Sequence, residues 1–179
     1  MSNLQNCDKI IRPMKVSVGK EAFVLEQVKD VPAYIWDMYK GNYFMVGFGI
    51  SIDEIHNGSA VVSLNVDPLK HFNHRGVCHG GVLIALADAV LGVTCASVGA
   101  KVATLSTGMN FIRPVAKPGR IYVRSKITHH GKTTITVDSS LYDSEDKLAG
   151  TVTNVMFVLE RFEEIPAVWS EDNVKTIKS

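Results

Sequence analysis

Asp88 is the only charged residue between His79 and Lys101, and its chain neighbours Leu86, Ala87, Ala89, Val90 and Leu91 are all apolar. A carboxylate taken out of water must be hydrogen-bonded, paired or shifted in pKa. Asp88 therefore either caps a neighbouring loop or reaches the surface, or it serves as a general base or nucleophile tuned by an apolar site. The triplet His79-Gly80-Gly81 opens the same segment. Glycine lets another group approach the backbone closely, and the free N–H groups at a helix start bind anions or polarise a carbonyl. The plain alternative is a loop-to-helix transition. Asn73 and Gly76 add polarity and turn-forming freedom to the loop before it. Further on, Ser106, Asn110 and the Arg113-Pro114 corner offer groups able to position water or substrate, or simply the polarity of a strand. Arg113, Lys117, Arg120, Arg124 and Lys132 are cations near predicted strand ends, where they either meet phosphates or stand in solvent.

Eight residues separate Gly80 from Asp88, about 12 Å along a helix axis at ~1.5 Å per residue. A carbonyl held by the Gly80 N–H cannot also touch Asp88 of the same chain. If both act on one substrate, a second copy must supply one of them. A two-fold dimer with antiparallel central helices does so and creates two identical sites. Site and dimer interface then coincide.

Several other chemistries lack support. No GxSxG elbow is present, which removes one class of serine hydrolase. The run His129-His130-Gly131-Lys132-Thr133 contains GKT without the upstream glycine of a phosphate-binding loop. Six histidines include His71, His74 and His79, but no HExxH or Cys/His zinc spacing accompanies them. No metal is expected. Cys7, Cys78 and Cys95 are odd in number and far apart, which fits a reducing compartment better than a disulfide scaffold. Nineteen Lys and Arg against 18 Asp and Glu give a net charge of +1, with none of the basic excess of a nucleic-acid binder. The N-terminus lacks a continuous apolar core of the signal-peptide kind. The apolar stretch Gly80 to Gly99 carries Asp88 at mid-length, unlike a membrane span. A soluble, cytoplasmic protein with neither nucleic-acid nor membrane partners is expected.

These candidates need elements to hold them. The chain's 179 residues suit one domain at the usual ~100–200 residues per domain. Residues 1–30 are weakly patterned and read as an extension. Pro32 predicts a helix first turn, Ala33 to Tyr39 a short helix, and Gly41-Asn42 its end. From Tyr43 the pattern turns extended. Phe48 to Ile55 and Ala60 to Val66 read as a hairpin around Asn57-Gly58, closed by Asp67-Pro68. Val82 to Val98 is helical and apolar almost all round, so it should be swallowed by the fold. Strands follow at Thr104 to Ile112, Ile121 to Thr128, Thr133 to Tyr142 and Leu148 to Leu159; residues 161–179 read as a charged tail. One apolar helix beside many antiparallel strands predicts an α+β fold in which a sheet of five to six strands curls around the helix. The domain boundaries follow: extension 1–42, domain 43–160, tail 161–179.

The run Asn73-x-x-Gly76-x-x-His79-Gly80-Gly81, then Leu86-Ala87-Asp88-Ala89, then Met109-Asn110-Phe111-Ile112-Arg113-Pro114, resembles the hot-dog thioesterases of the phenylacetate-degradation type. Relatives of these are the thioesterase superfamily member 2 and 4-hydroxybenzoyl-CoA thioesterase types. The resemblance covers roughly residues 44–159. It implies a curved antiparallel sheet around the long helix, subunits joined through their sheets as a homodimer, and often a tetramer formed as a dimer of dimers. It implies an acyl-CoA substrate and no cofactor beyond the CoA of that substrate. Asp88 matches the catalytic carboxylate, as general base or as nucleophile. Gly80, with His79 beside it, matches the N–H that polarises the thioester carbonyl. Asn73 matches a residue orienting water or substrate from across the dimer, and Ser106 an assisting hydroxyl. Gly81, Asn110, Arg113 and Lys132 are the candidates for holding substrate and CoA. Two rivals remain open: a hot-dog dehydratase or hydratase, faintly suggested by His71-Phe72, and a non-catalytic CoA-ester-binding module. Turnover of an acyl-CoA panel separates them.

Overall fold

The computed structural model describes residues 27–170, and the readings made of residues 1–26 and 171–179 lie outside them. Helix α1 (Val31–Tyr39) starts on Asp30, whose side chain accepts from the Ala33 N–H, with Pro32 in the first turn. Asn42 then begins a second helix, α2 (Tyr43–Phe48), by accepting from the N–H groups of Phe44 and Met45. The extended pattern expected from Tyr43 is therefore corrected. Asn42 was read as a stop and acts as a start, and Gly49 at φ 74 ends the new helix in the left-handed region.

Strands β1 (Ile50–His56) and β2 (Ser59–Val66) form the expected hairpin about Asn57-Gly58, with Gly58 at φ 78. Asp67 then caps a single turn, α3 (Pro68–His71). The central helix α4 spans Gly80–Ala96, followed by β3 (Ala100–Phe111), β4 (Gly119–His130), β5 (Thr134–Tyr142) and β6 (Leu148–Arg161). All six strands form one antiparallel sheet in the order β1-β2-β4-β5-β6-β3. The α+β expectation of a sheet around one helix holds.

Alternation along each strand sends Val62, Leu64, Ile121, Val123, Ile135, Val137, Val152 and Met156 to the helix side, where they pack on Leu86, Ala87, Val90 and Leu91. A buried hydroxyl line ties helix to sheet: Thr94 bonds Ser125, and Ser97 accepts from the Gly58 N–H at the hairpin tip. The flanking segments belong to this core. Ile35 of α1 and Ile165 beyond β6 are buried in it, and the Trp169 indole N–H donates to Ser97 O at 2.7 Å. The expected tail from residue 161 is thus docked through residue 170, and α1 is more than an extension.

Helix α4 is not swallowed on every side. Gly81, Ile84 and Asp88 are exposed and Ala85, Ala89 and Gly92 half-buried, a stripe at helical spacing left open by the sheet. At the far edge, β3 is exposed along nearly its whole length.

Candidate functional site

His79 caps α4: its Nδ1 accepts from the Gly81 N–H at 3.2 Å, while its carbonyl takes the Val82 N–H. Of the first three helix donors, only the Gly80 N–H has no acceptor among the described residues. Gly81, expected to contact substrate, has its donor occupied by His79. An added Cβ at Gly80 would meet the Phe111 ring at 3.1 Å, so the end of β3 lies against the start of α4.

Two turns along the open stripe, Asp88 is exposed and accepts from the Thr104 hydroxyl at 3.1 Å. Its carboxylate is neither sealed in the core nor paired with a cation in the ion pairs of the described residues. The hydroxyl that bonds Asp88 belongs to Thr104, two residues before the expected Ser106. Leu105 forms a bulge, since Thr104 pairs with Met156 and Ser106 with Val155. Beyond the bulge, Thr107, Met109 and Phe111 face the helix, while Ser106 and Asn110 fall on the outer face of the sheet. Neither can reach Asp88 of its own chain. Thr104 was missed because a bulge leaves no mark in a strand read by simple alternation.

Asn73 is half-buried in a small hairpin closed by the Phe72–Cys78 bridge. Its side-chain oxygen accepts from the Arg75 N–H at 2.9 Å, and Gly76 turns the chain at φ 74. That oxygen is held by the turn, leaving the amide nitrogen to act outward. Arg113 donates to Leu148 O at the start of β6, whereas Lys132 lies in the β4–β5 turn, where Thr133 O accepts from Val158. Arg113 N–H bonds Ala149, so the two cations are separated by nine residues of β6, about 30 Å at ~3.3 Å per residue. One chain does not bring them together.

A further wall was not anticipated. Tyr39 of α1 rests on α4 at Gly92, where an added Cβ would lie 2.6 Å from its hydroxyl. Burial, with Cys95 nearby, pushes the Tyr39 phenol up to about 12, so it stays neutral. The sequence signal was a glycine inside a helix, which commonly marks close packing. Behind Tyr39, a cavity of about 530 Å³ runs along the free edge of β1, with Trp36 and Met45 on its helical side.

Sheet, helix and stripe together define the hot-dog fold. The E. coli PaaI protein from the phenylacetic acid degradation operon superposes with a TM-score of 0.68 at 24% identity, over 74% of this chain and 95% of that one. A protein from Streptococcus mutans UA159, solved bound to acetyl CoA, does so with a TM-score of 0.60 at 25% identity, over 64% of this chain and 91% of its own. In sequence, a protein of Archaeoglobus fulgidus named "Putative esterase" is 24% identical over 141 residues, 79% of this chain and 87% of that protein. Residues 75–149 match the model of the Thioesterase superfamily. Asp88, Gly80 and Thr104 all lie inside the matched span.

Proposed function

We propose that the chain hydrolyses acyl-CoA thioesters as a homodimer whose two sites are each built from both subunits. The observation that carries this reading is the pair of unsatisfied groups on one helix stripe. Among the described residues the Gly80 N–H lacks an acceptor and the exposed Asp88 is held by Thr104 alone, and the two stand too far apart to share a carbonyl within one chain. In an antiparallel pair of helices the Gly80 of each faces the Asp88 of the other, and the two-fold axis passes midway, at the exposed apolar Ile84. The long open edge of β3 supports the same pairing. Nine of its twelve residues are exposed, with Leu105 at 59% and Phe111 at 55%, and a bare edge of that length invites a strand from a second copy.

At such a site the Gly80 N–H of one subunit polarises the thioester carbonyl, and Asp88 of the other takes a proton from water as it adds to the carbonyl carbon. The oxyanion rests on the helix start. Collapse expels the CoA thiolate, which regains the proton from Asp88, leaving free acid and CoA. Direct attack by the carboxylate, through a mixed anhydride, uses the same geometry. Asn73, at the mouth of the other subunit's loop, orients water or substrate. The symmetry also brings the Arg113 end of one subunit towards the Lys132 end of its partner, which suits a CoA bound by both. The superfamily match and the acetyl CoA complex of the streptococcal protein support the substrate class. A dimer of dimers and a cytoplasmic location complete the proposal; among the described residues no helix is long and apolar enough to cross a membrane.

The test is thiol release from a panel of acyl-CoAs by wild type and Asp88→Asn. Wild type releases thiol, and the variant loses at least about 10³-fold, the scale of a lost general base. Full activity in Asp88→Asn overturns the role of Asp88. Hydration of an enoyl-CoA without hydrolysis, or tight binding without turnover, overturns the hydrolase reading.

A further inference from the structure

The geometry points to Tyr39, a residue outside the matched superfamily span, as the group that limits the length of the acyl chain; this rests on the thioesterase reading above. We infer that the acyl arm lies along α4 from Asp88 towards Gly92 and stops against the Tyr39 ring.

Towards the dimer axis the stripe is blocked by Ile84 of both subunits. On the sheet side Thr104 closes it by bonding Asp88. The remaining direction along the helix runs from Asp88 past Ala89 to Gly92. Of the two arms of a thioester, the nucleotide arm needs solvent and cations, while this wall is made of small apolar residues and a buried phenol. The acyl arm belongs there. Asp88 and Gly92 are one turn apart, about 6 Å at ~1.5 Å per residue, which suits a short acyl chain or a single aromatic ring. Gly92 has no side chain because Tyr39 occupies that space, 2.6 Å from where a Cβ would sit. Tyr39 also forms part of the wall of the 530 Å³ cavity along β1. Tyr39 is the residue common to the Gly92 contact and to that cavity, whose apolar walls are Trp36, Met45, Val46, Ile50 and Ile52 and whose polar rim includes Asp53, Glu54 and Arg120, so removing the ring lengthens the cleft towards those apolar walls. At Gly92 the hydroxyl end of Tyr39 lies nearest, with two ring carbons 3.2 Å from where a Cβ would sit, so the side chain fills the end of the cleft by its bulk.

The experiment measures kcat/KM for acetyl-, butyryl-, hexanoyl- and decanoyl-CoA. Wild type prefers the shorter members. Tyr39→Ala raises the decanoyl-to-butyryl ratio at least tenfold, and Tyr39→Phe, which keeps the ring, leaves it within about twofold. Should Tyr39→Ala fold poorly, Tyr39→Leu reads the same ratio, and Gly92→Ala shifts preference towards acetyl-CoA by crowding the ring into the cleft. Wild type that favours decanoyl-CoA, or a turnover-competent Tyr39 variant with an unchanged ratio, overturns the inference while leaving the thioesterase reading intact. Wild type with no acyl-CoA hydrolysis at all overturns that reading and the inference with it.

Discussion

A carboxylate on an apolar helix needs water or a donor within reach, and Asp88 has both: an open stripe and the Thr104 hydroxyl. That bond holds one oxygen and leaves the other to act. Thr104→Val should therefore lower kcat/KM about tenfold, near 1.4 kcal/mol, the low end for a hydrogen bond to a charged group, while Thr104→Ser should restore most of it. Ser106→Ala, on the far face of the sheet, should stay within about twofold. Parallel kinetics of the three variants decide between the two hydroxyls. The thiols offer a second check. Burial pushes Cys78 up to about 11 and Cys95 up to about 12, the latter against an opposing pull from Arg161. At pH 8 only about one Cys78 in a thousand is thiolate. Peptide mass spectrometry after iodoacetamide should find both unmodified in the native protein and both labelled in denaturant. At this scale Asp88 and Gly80 were legible because a lone acid and a glycine pair interrupt an apolar pattern. Thr104 and Tyr39 were not, because their importance lies in contacts across 16 and 53 residues of chain.

Elements were legible where a local signal fixes them. Asn57-Gly58 specifies its hairpin, and the apolar run before Gly99 specifies α4. The second helix was missed because its six residues, Tyr43-Phe44-Met45-Val46-Gly47-Phe48, favour strands by type and become helical through the cap Asn42 and the stop Gly49. The open stripe of α4 was missed for a related reason. Apolar residues all round imply burial on all sides, but Gly81 and Ile84 are exposed and Ala85 and Ala89 half-buried, surface that the fold of one chain leaves uncovered. The join after α4 shows what an element boundary requires. Gly99 sits at φ +70, and a Cβ there would lie 2.9 Å from Ile165 O and 3.3 Å from Phe162 O, both backbone atoms of the docked C-terminal segment. Gly99→Ala forces strain and a clash together, costing about 2 kcal/mol or more. Differential scanning calorimetry should show Tm falling by roughly 4–8 °C. An unchanged Tm would mean that residues 162–170 do not clamp this turn.

The whole molecule poses the question that the sequence raised as a distance and the monomer leaves as two half-sites. Gly80 and Asp88 share a stripe but stand two helical turns apart, and among the described residues β3 pairs with no strand beyond β6. One two-fold operation supplies both deficits, because pairing β3 with its copy sets the helices antiparallel on the same face of a continuous sheet. The consequence is measurable by complementation. Asn73→Ala and Asp88→Ala homodimers each lack a group at both sites and should be nearly inactive. In a mixed dimer one site carries both lesions and the other carries neither. Random exchange of an equal mixture makes half the dimers mixed, each with one intact site of two, so about a quarter of wild-type activity should return. Exchange itself is followed independently by mass spectrometry of differently tagged subunits. Recovery near a quarter requires Asn73 and Asp88 to act from opposite chains. Complete exchange with no recovery requires them to act from the same chain, and the antiparallel dimer would then be the wrong assembly for this site.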